Sequence, residues 1–280
     1  IPFTVQKRKS NIIIETENKK YRIKNKIKRH DTGFSIVYKK KTLDFTKEEP
    51  IAKHRFVNRY KDAIFSKIRD REISFGKAKG YYVSMVVDRV KEDDYGGIIL
   101  DVSKNLMKSI IPKEHQLDLD LYMPIGDTIS KRPLLVLVHG GAFIIGDKKS
   151  ETMQSIAQYL VHRGFVVASI NYRLGYLFLP GSYSLLERSI YRGIQDTRAA
   201  IRYLVNYSNL YKIDTDNIFV AGNSAGGFIA MKTAFMKDYN SYSSIKGIPL
   251  IQDDLGCLDC SGNQYQNYFS LKGVMAYQLA

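Results

Sequence analysis

The sequence predicts an α/β protein with a doubly wound, mostly parallel sheet and a small N-terminal β extension. Continuous apolar runs at 134–138, 165–170 and 218–221 have the composition of strands that are buried on both faces of a parallel sheet. Segments with apolar residues at helical spacing separate these runs, and strand–helix alternation is typical of a doubly wound sheet. Before residue 59 the pattern is instead basic and has a period of two.

The first 58 residues are predicted to form a separate basic extension with a β-hairpin. Residues 21–28 and 34–38 alternate between apolar and polar side chains around a turn at 31–33, and 39–58 has the composition of a polar connector. Residues 1–72 hold 21 Lys or Arg and 9 Asp or Glu, so this region contributes +12 of the formal net charge of +15. An excess of that size suggests an anionic partner, but the charges are not interleaved in a nucleic-acid-binding motif. A solvated sheet face is therefore favoured over nucleic-acid binding.

From residue 59 to 280 the predicted elements follow one another as a single α/β domain. The acidic–apolar alternation at 117–123 indicates a strand at or near the sheet edge, and 77–115 shows only weak periodicity. The helix at 225–236 is apolar nearly all round, so we expect it to be covered on most sides. The other predicted elements are a short strand at 73–75, a helix between Ser150 and Gly164, a helix at 187–207 and a last strand at 271–277.

A G-x-S-x-G motif lies between the buried strand at 218–221 and the helix that follows it. Its residues are Gly222, Asn223, Ser224, Ala225 and Gly226. This pattern at a tight strand-to-helix turn lifts the serine hydroxyl out of the sheet, and small residues on either side let the strand and the helix approach each other. Ser224 is therefore the candidate nucleophile, with Gly222, Asn223 and Gly226 supporting it.

A second glycine turn follows the strand at 134–138. Tandem glycines at Gly140 and Gly141 allow backbone N–H groups to point into a site, where with the N–H of Ala225 they would form an oxyanion hole. His139 is interpreted as an orienting residue beside this loop and not as a proton shuttle.

Both motifs, in this order and at matching strand ends, resemble the carboxylesterase branch of the α/β-hydrolase fold, close to hormone-sensitive-lipase-like and secreted bacterial esterases. The resemblance is carried by the segments LDLYMP (119–124), RPLLVLVHGGAF (132–143), VVASINYRLG (166–175), QDTRAAIRYL (195–204) and FVAGNSAGG (219–227). It implies Ser224 as nucleophile and Gly140, Gly141 and Ala225 as oxyanion donors. It also implies structural roles for Asp147, Asn171, Tyr172 and Arg173. The substrates implied are small-molecule or polysaccharide-linked carboxylic esters, and no cofactor is implied.

The catalytic histidine of the family has no counterpart after Ser224. All five histidines precede it, namely His30, His54, His115, His139 and His162, and the later acids Asp238, Asp253, Asp254 and Asp259 precede the last strand. A serine needs a base within hydrogen-bond reach, so we expect these 280 residues to be inactive alone.

Three explanations remain open for the missing base. The domain is C-terminally truncated, it is a pseudoenzyme, or it borrows a base from another chain; truncation is the simplest. The alternative function is a non-catalytic binding module whose basic extension carries an anionic ligand.

Cys257 and Cys260 form a single C-x-x-C in a polar loop, and they are either two unrelated thiols or a local disulfide. A zinc site would need further ligands at suitable spacing, so no metal site is predicted. No apolar run approaches the length of a transmembrane helix. Export to the periplasm or the exterior is expected, with the cytoplasm as the alternative, and the sequence predicts no oligomeric state.

Overall fold

A computed structural model describes residues 58–80, 113–175, 183–236 and 255–277, together with the backbone of six strand segments between residues 3 and 46. The predicted irregular stretch at 77–115 lies outside the described residues except at its two ends.

The six N-terminal segments form two antiparallel three-stranded sheets. They are β1 (Phe3–Arg8), β2 (Asn11–Thr16), β3 (Lys19–Ile23), β4 (Lys28–His30), β5 (Gly33–Tyr38) and β6 (Lys41–Thr46). The predicted hairpin is confirmed for β4 and β5, which pair from His30 and Gly33 outward. The single strand at 21–28 is wrong, because β3 ends at Ile23 and pairs with β2. The connector at 39–58 is also wrong in part, because Leu43 and Phe45 alternate with polar residues in β6, which pairs with β5. All six strands fall within 1–58, whose boundary remains a prediction.

A six-stranded sheet with helices on its faces forms the rest of the described chain. Its strands are β7 (Ile68–Gly80), β8 (Lys113–Pro124), β9 (Arg132–Val138), β10 (Val166–Ile170), β11 (Ile213–Asn223) and β12 (Leu271–Tyr277). The order across the sheet is β12-β11-β9-β10-β8-β7, in which β8 is antiparallel to both of its neighbours, β7 and β10, and the pairs among β10, β9, β11 and β12 are parallel. This confirms the mostly parallel α/β sheet and the near-edge position of β8.

In the described residues, four helices lie between these strands: α1 (Glu151–Val161), α2 (Tyr183–Asn206), α3 (Ser208–Tyr211) and α4 (Ala225–Phe235). Ser150 occupies the N-cap position of α1 as predicted, although its side chain makes no capping hydrogen bond. Gly164, just after α1, has a φ of +99°, which favours glycine at a helix stop. No helix in the described part of the chain is long and apolar enough to cross a membrane.

The expectation that α4 is covered on most sides is wrong for the described residues. Phe228, Met231 and Phe235 are 49%, 38% and 66% exposed. The helix packs through its small residues and Ile229, which lets its backbone approach the sheet closely and leaves the large side chains outside.

Strand register brings the two glycine turns to one edge of the sheet. In β9, Val138 pairs with Ile170 of β10 on one side and with Gly222 of β11 on the other. Because parallel strands end at the same edge, the residues that follow Val138 and Gly222 lie side by side.

Candidate active site

Ser224 lies at the turn between β11 and α4 in a backbone conformation that is rare for a residue with a side chain. Its φ is 49° and its ψ is −121°, close to the first central position of a type II′ turn, where glycine is usual. Such strain costs about 1–3 kcal/mol and persists where the surroundings hold it. Here the Ser224 N–H donates to the carbonyl of Tyr277 in β12 at 3.0 Å, and the Ser224 carbonyl accepts from Phe228 N in α4 at 3.1 Å. Strand β12 and helix α4 therefore hold the backbone of this strand-to-helix turn, the Ser224 elbow, in its strained conformation.

Gly226 allows α4 to start directly against the end of β9. A Cβ atom at this position would lie 2.1 Å from the carbonyl oxygen of Val138 and 2.4 Å from that of His139. These backbone atoms have little room to yield, so any side chain would push the helix away from the strand. Gly226 thus occupies a position where helix α4 and the end of β9 approach each other closely.

The predicted oxyanion loop lies against the elbow. A Cβ atom on Gly140 would lie 3.1 Å from both the Nδ2 and the carbonyl oxygen of Asn223, the residue before the serine. Gly141 has a φ of +112°, and its carbonyl accepts the N–H groups of Ile144 and Ile145, which folds the loop back on itself. Within the described part of the chain, neither glycine N–H donates a hydrogen bond. Gly140 is thus packed against the residue that precedes Ser224.

Ala225 is the first residue of α4, so its N–H has no acceptor within the helix. The helix N-terminus also carries partial positive charge, which favours a negative charge beside the serine. Ser224 and the predicted donors Gly140, Gly141 and Ala225 therefore all follow strand ends at one edge of the sheet.

His139 is a buried structural residue of this loop. Its Nδ1 lies 2.7 Å from the Gly140 carbonyl, and its ring stacks on Tyr172 with centroids 4.4 Å apart. The Tyr172 hydroxyl donates to the His139 carbonyl at 3.2 Å. Burial lowers the pKa of His139, so the imidazole is neutral near pH 7 with the Nδ1 proton donated to Gly140. These contacts fix the orientation of the His139 ring against Gly140 and Tyr172.

No histidine pairs with Ser224 within the described residues. One nitrogen of His115 is 3.2 Å from the Gly80 carbonyl, and one nitrogen of His162 is 2.6 Å from the Phe65 carbonyl. His54 and the acids Asp238, Asp253 and Asp254 lie outside the described residues, and only the backbone of His30 is described. The fourth acid, Asp259, binds Arg198 and Arg202 and not a histidine.

Asp147 and Asn171 support the far end of the oxyanion loop. The Nδ2 of Asn171 donates to Asp147 Oδ2 at 3.2 Å, and its Oδ1 accepts the Lys148 N–H at 2.7 Å. Sequence reasoning missed the importance of Lys148, which is buried with three carboxylates around its ammonium. The acid alternation in β8 was the available signal, but it indicated only an edge strand. No cluster in the described residues has the ligands for a metal ion.

Arg173 and Asp196 form a buried ion pair behind the site. Asp196 accepts the backbone N–H of Arg173 at 2.8 Å, and its Oδ1 lies 2.7 Å from Arg173 Nη2. The same guanidinium reaches Ser261 Oγ at 3.1 Å. Ser261 follows a local disulfide between Cys257 and Cys260, which resolves the two alternatives for these cysteines.

Known proteins match this chain over its central part. The family model BD-FAE matches residues 119–248. A probable isoprenylcysteine alpha-carbonyl methylesterase of Arabidopsis thaliana is 36% identical over 41% of this chain and 21% of its own length. The para-nitrobenzyl esterase of Bacillus subtilis is 34% identical over 48% of this chain and 28% of its own length. The matched part of the chain therefore spans only 21% and 28% of the length of these two curated relatives.

Solved structures match at lower identity. A bacterial heroin esterase is 24% identical over 61% of this chain and 40% of that chain, with a TM-score of 0.37. A native esterase of Thermogutta terrifontis is 25% identical over 43% of this chain and 40% of that chain, with a TM-score of 0.36.

Proposed function

We propose that this chain, which is similar to carboxylesterases of the α/β-hydrolase family over its central part, provides the nucleophile and the oxyanion hole of a serine carboxylic-ester hydrolase. The observation that carries the proposal is the strained Ser224 elbow held beside the Gly140–Gly141 loop. A strained backbone at a half-buried serine, beside N–H groups that have no acceptor among the described residues, suits attack on a carbonyl and serves no evident packing need.

In the proposed reaction Ser224 Oγ attacks the carbonyl carbon of an ester. The carbonyl electron pair moves to oxygen, and this oxyanion accepts hydrogen bonds from the N–H groups of Gly140, Gly141 and Ala225. Collapse of the intermediate expels the alcohol, which takes up the proton lost by the serine, and water later releases the acid. Loss of one such donor typically raises the barrier by about 3–4 kcal/mol.

The base that accepts the serine proton is proposed to come from outside the described residues or from another chain. This follows from the backbone contacts of His115, His139 and His162. We expect negligible turnover from the 280 residues alone, because loss of a triad member forfeits most of the rate. The proposed substrates are small-molecule or polysaccharide-linked esters. Export is also proposed, and the Cys257–Cys260 disulfide supports it.

Imidazole rescue tests this proposal. A fluorophosphonate probe reacts when a serine oxygen attacks phosphorus and fluoride leaves, and added imidazole can accept the proton. We expect the probe to form an adduct at Ser224, faster with rising imidazole, as located by peptide mass spectrometry. Ser224→Ala should abolish the adduct, and Ser155→Ala, at an exposed serine of α1, should leave it unchanged.

A non-catalytic binding module is the second candidate, favoured by the same lack of a histidine paired with Ser224 among the described residues. It would be supported if folded protein gives no Ser224 adduct at any imidazole concentration. Binding of the full chain to heparin that weakens steeply with salt would then assign the ligand to the basic extension. Salt-independent binding, or none, would exclude that anionic ligand.

A further inference from the structure

Lys148 is a buried lysine at the end of the oxyanion loop. Its side chain is 2% exposed, and its Nζ lies 2.9 Å from Asp120 Oδ1, 3.0 Å from Asp118 Oδ2 and 3.2 Å from Glu72 Oε1. Two of these carboxylates come from β8 and one from β7. The ammonium therefore ties the loop to the antiparallel edge of the sheet.

The backbone of Lys148 is held as firmly as its side chain. Its N–H donates to Asn171 Oδ1 at 2.7 Å, just after β10, and its carbonyl accepts the hydroxyl of Ser169 within β10 at 2.8 Å. Three neighbouring strands thus fix one residue that belongs to none of them.

A short contact path connects this anchor to the predicted oxyanion donors. Two residues before Lys148, a Cβ atom on Gly146 would lie 2.3 Å from His139 Nδ1 and 2.4 Å from the Gly140 carbonyl oxygen. The chain at Gly146 is therefore pressed against the peptide that joins Gly140 to Gly141. A shift of Lys148 would move that peptide, because close-packed backbone leaves no empty space that could absorb the displacement.

We propose that Lys148 is a positioning residue that holds the oxyanion loop, from His139 to Lys148, so that the Gly140 and Gly141 N–H groups face Ser224. The inference rests on the proposed function for the meaning of that loop. It adds a residue outside both glycine motifs, and it acts through Gly146 without touching the substrate.

The charges around Lys148 decide how the anchor responds to pH. Glu72 faces it from β7, and Asp118, Asp120 and Tyr122 face it from β8. Asp147 lies beside it in the loop, and Lys149 follows directly after the loop. Burial opposes the charge of Lys148, but hydrogen bonds to Asp120 and Asp118 outweigh it and raise the pKa of the ammonium. Burial also raises the pKa of Asp118. Hydrogen bonds from Lys149 and Lys148 lower the pKa of Glu72 to about 2.

Hydrogen–deuterium exchange followed by mass spectrometry tests the anchor independently of any hydrolysis. Lys148→Met keeps the length of the side chain and removes its charge. We expect amides in 139–147 to exchange about tenfold faster or more. Removing one partner of a buried ion pair is strongly destabilising, and its free-energy cost corresponds to more than a tenfold change in an opening equilibrium. The matched control is Lys149→Met at the adjacent, half-exposed lysine, whose ammonium pairs with Glu72 alone among the described residues and whose loss should leave 139–147 unchanged.

Two further measurements separate positioning from general stability. Lys148→Arg restores the charge and should recover much of the protection, while amides in 190–205 of α2 should be unaffected in every variant. In wild type, exchange of 139–147, corrected for its intrinsic pH dependence, should accelerate as Asp118 takes up a proton, and this step should disappear in Asp118→Asn. Asp118→Asn also tests the anchor if Lys148→Met does not fold.

Unchanged protection of 139–147 in folded Lys148→Met would overturn the proposal. Persistence in Asp118→Asn of the pH-dependent acceleration of exchange in 139–147 would also overturn the proposal. Faster exchange spread equally over α2 would also overturn it, because that pattern reports a structural lysine only. Absence of a Ser224 adduct together with the expected exchange pattern would refute the proposed hydrolase function and leave the anchor intact.

Discussion

Replacing Asp196 by Asn should destabilise the protein more than any exposed charge change. The Asp196 carboxylate is fully buried. It accepts hydrogen bonds from the backbone N–H of Arg173 at 2.8 Å and from Arg173 Nε at 2.9 Å, and it lies 2.7 Å from Arg173 Nη2. Asparagine keeps the volume, so no cavity forms. It removes the charge and one acceptor oxygen, which leaves a buried guanidinium without its counter-ion.

The expected loss in the free energy of unfolding is about 3–5 kcal/mol, the usual cost of removing one partner from a buried ion pair. Gln195 Oε1, 2.9 Å from Nη2, and Ser261 Oγ are neutral and can compensate only in part. Urea unfolding followed by far-ultraviolet circular dichroism measures this loss as a lower midpoint with an unchanged slope.

Glu114→Gln is the matched control for charge and shape. Its carboxylate lies 3.5 Å from Lys77 Nζ, and both side chains are more than half exposed. Its loss should stay below about 1 kcal/mol, as for other surface ion pairs. Equal small losses for Asp196→Asn and Glu114→Gln would refute the reasoning, because burial would then not determine the cost.

Three other changes test separate parts of the fold. Burial disfavours the charged form of Asp127, but the guanidiniums of Arg59 and Arg132 outweigh burial and lower the pKa of this carboxyl. The charged Asp127 therefore stabilises the fold above the unfolded-state pKa of about 3.9, and this contribution is lost as the pH falls. The stability gap between wild type and Asp127→Asn in unfolding experiments should therefore be widest near neutral pH and shrink below pH ~4. Gly226→Ala, whose Cβ would lie 2.1 Å from Val138 O, should cost about 1–3 kcal/mol or more in thermal unfolding and slow any Ser224 labelling; an unchanged Tm would contradict the close approach. Cys257→Ser with Cys260→Ser should cost only about 2 kcal/mol, because the loop closed is short, and dithiothreitol should lower the Tm of wild type alone.

Much of the central domain could be predicted because its signals are local. The apolar runs became β9, β10 and β11, and the G-x-S-x-G turn lies between β11 and α4 as expected. Strands buried on both faces have to be continuously apolar, and a strand-to-helix turn this tight requires small residues at fixed offsets.

Other features depended on partners that a local pattern does not contain. The exposure of Phe235 follows from how closely the small residues of α4 let it approach the sheet. Strand β6 was missed because its two apolar residues lie within a polar stretch, and pairing with β5 defines it. The disulfide was one of two alternatives until the positions of both cysteines were known.

The sequence by itself determined the order of elements, the residue types at both turns and the lack of a histidine after Ser224. Each of these depends on residues within one short segment or on a simple count. Only the tertiary structure decided that Gly140 lies against Asn223 and that Lys148 is surrounded by carboxylates of two other strands. Those relations arise from register across the sheet, where residues about 30 to 80 positions apart come into contact, and no local pattern encodes them.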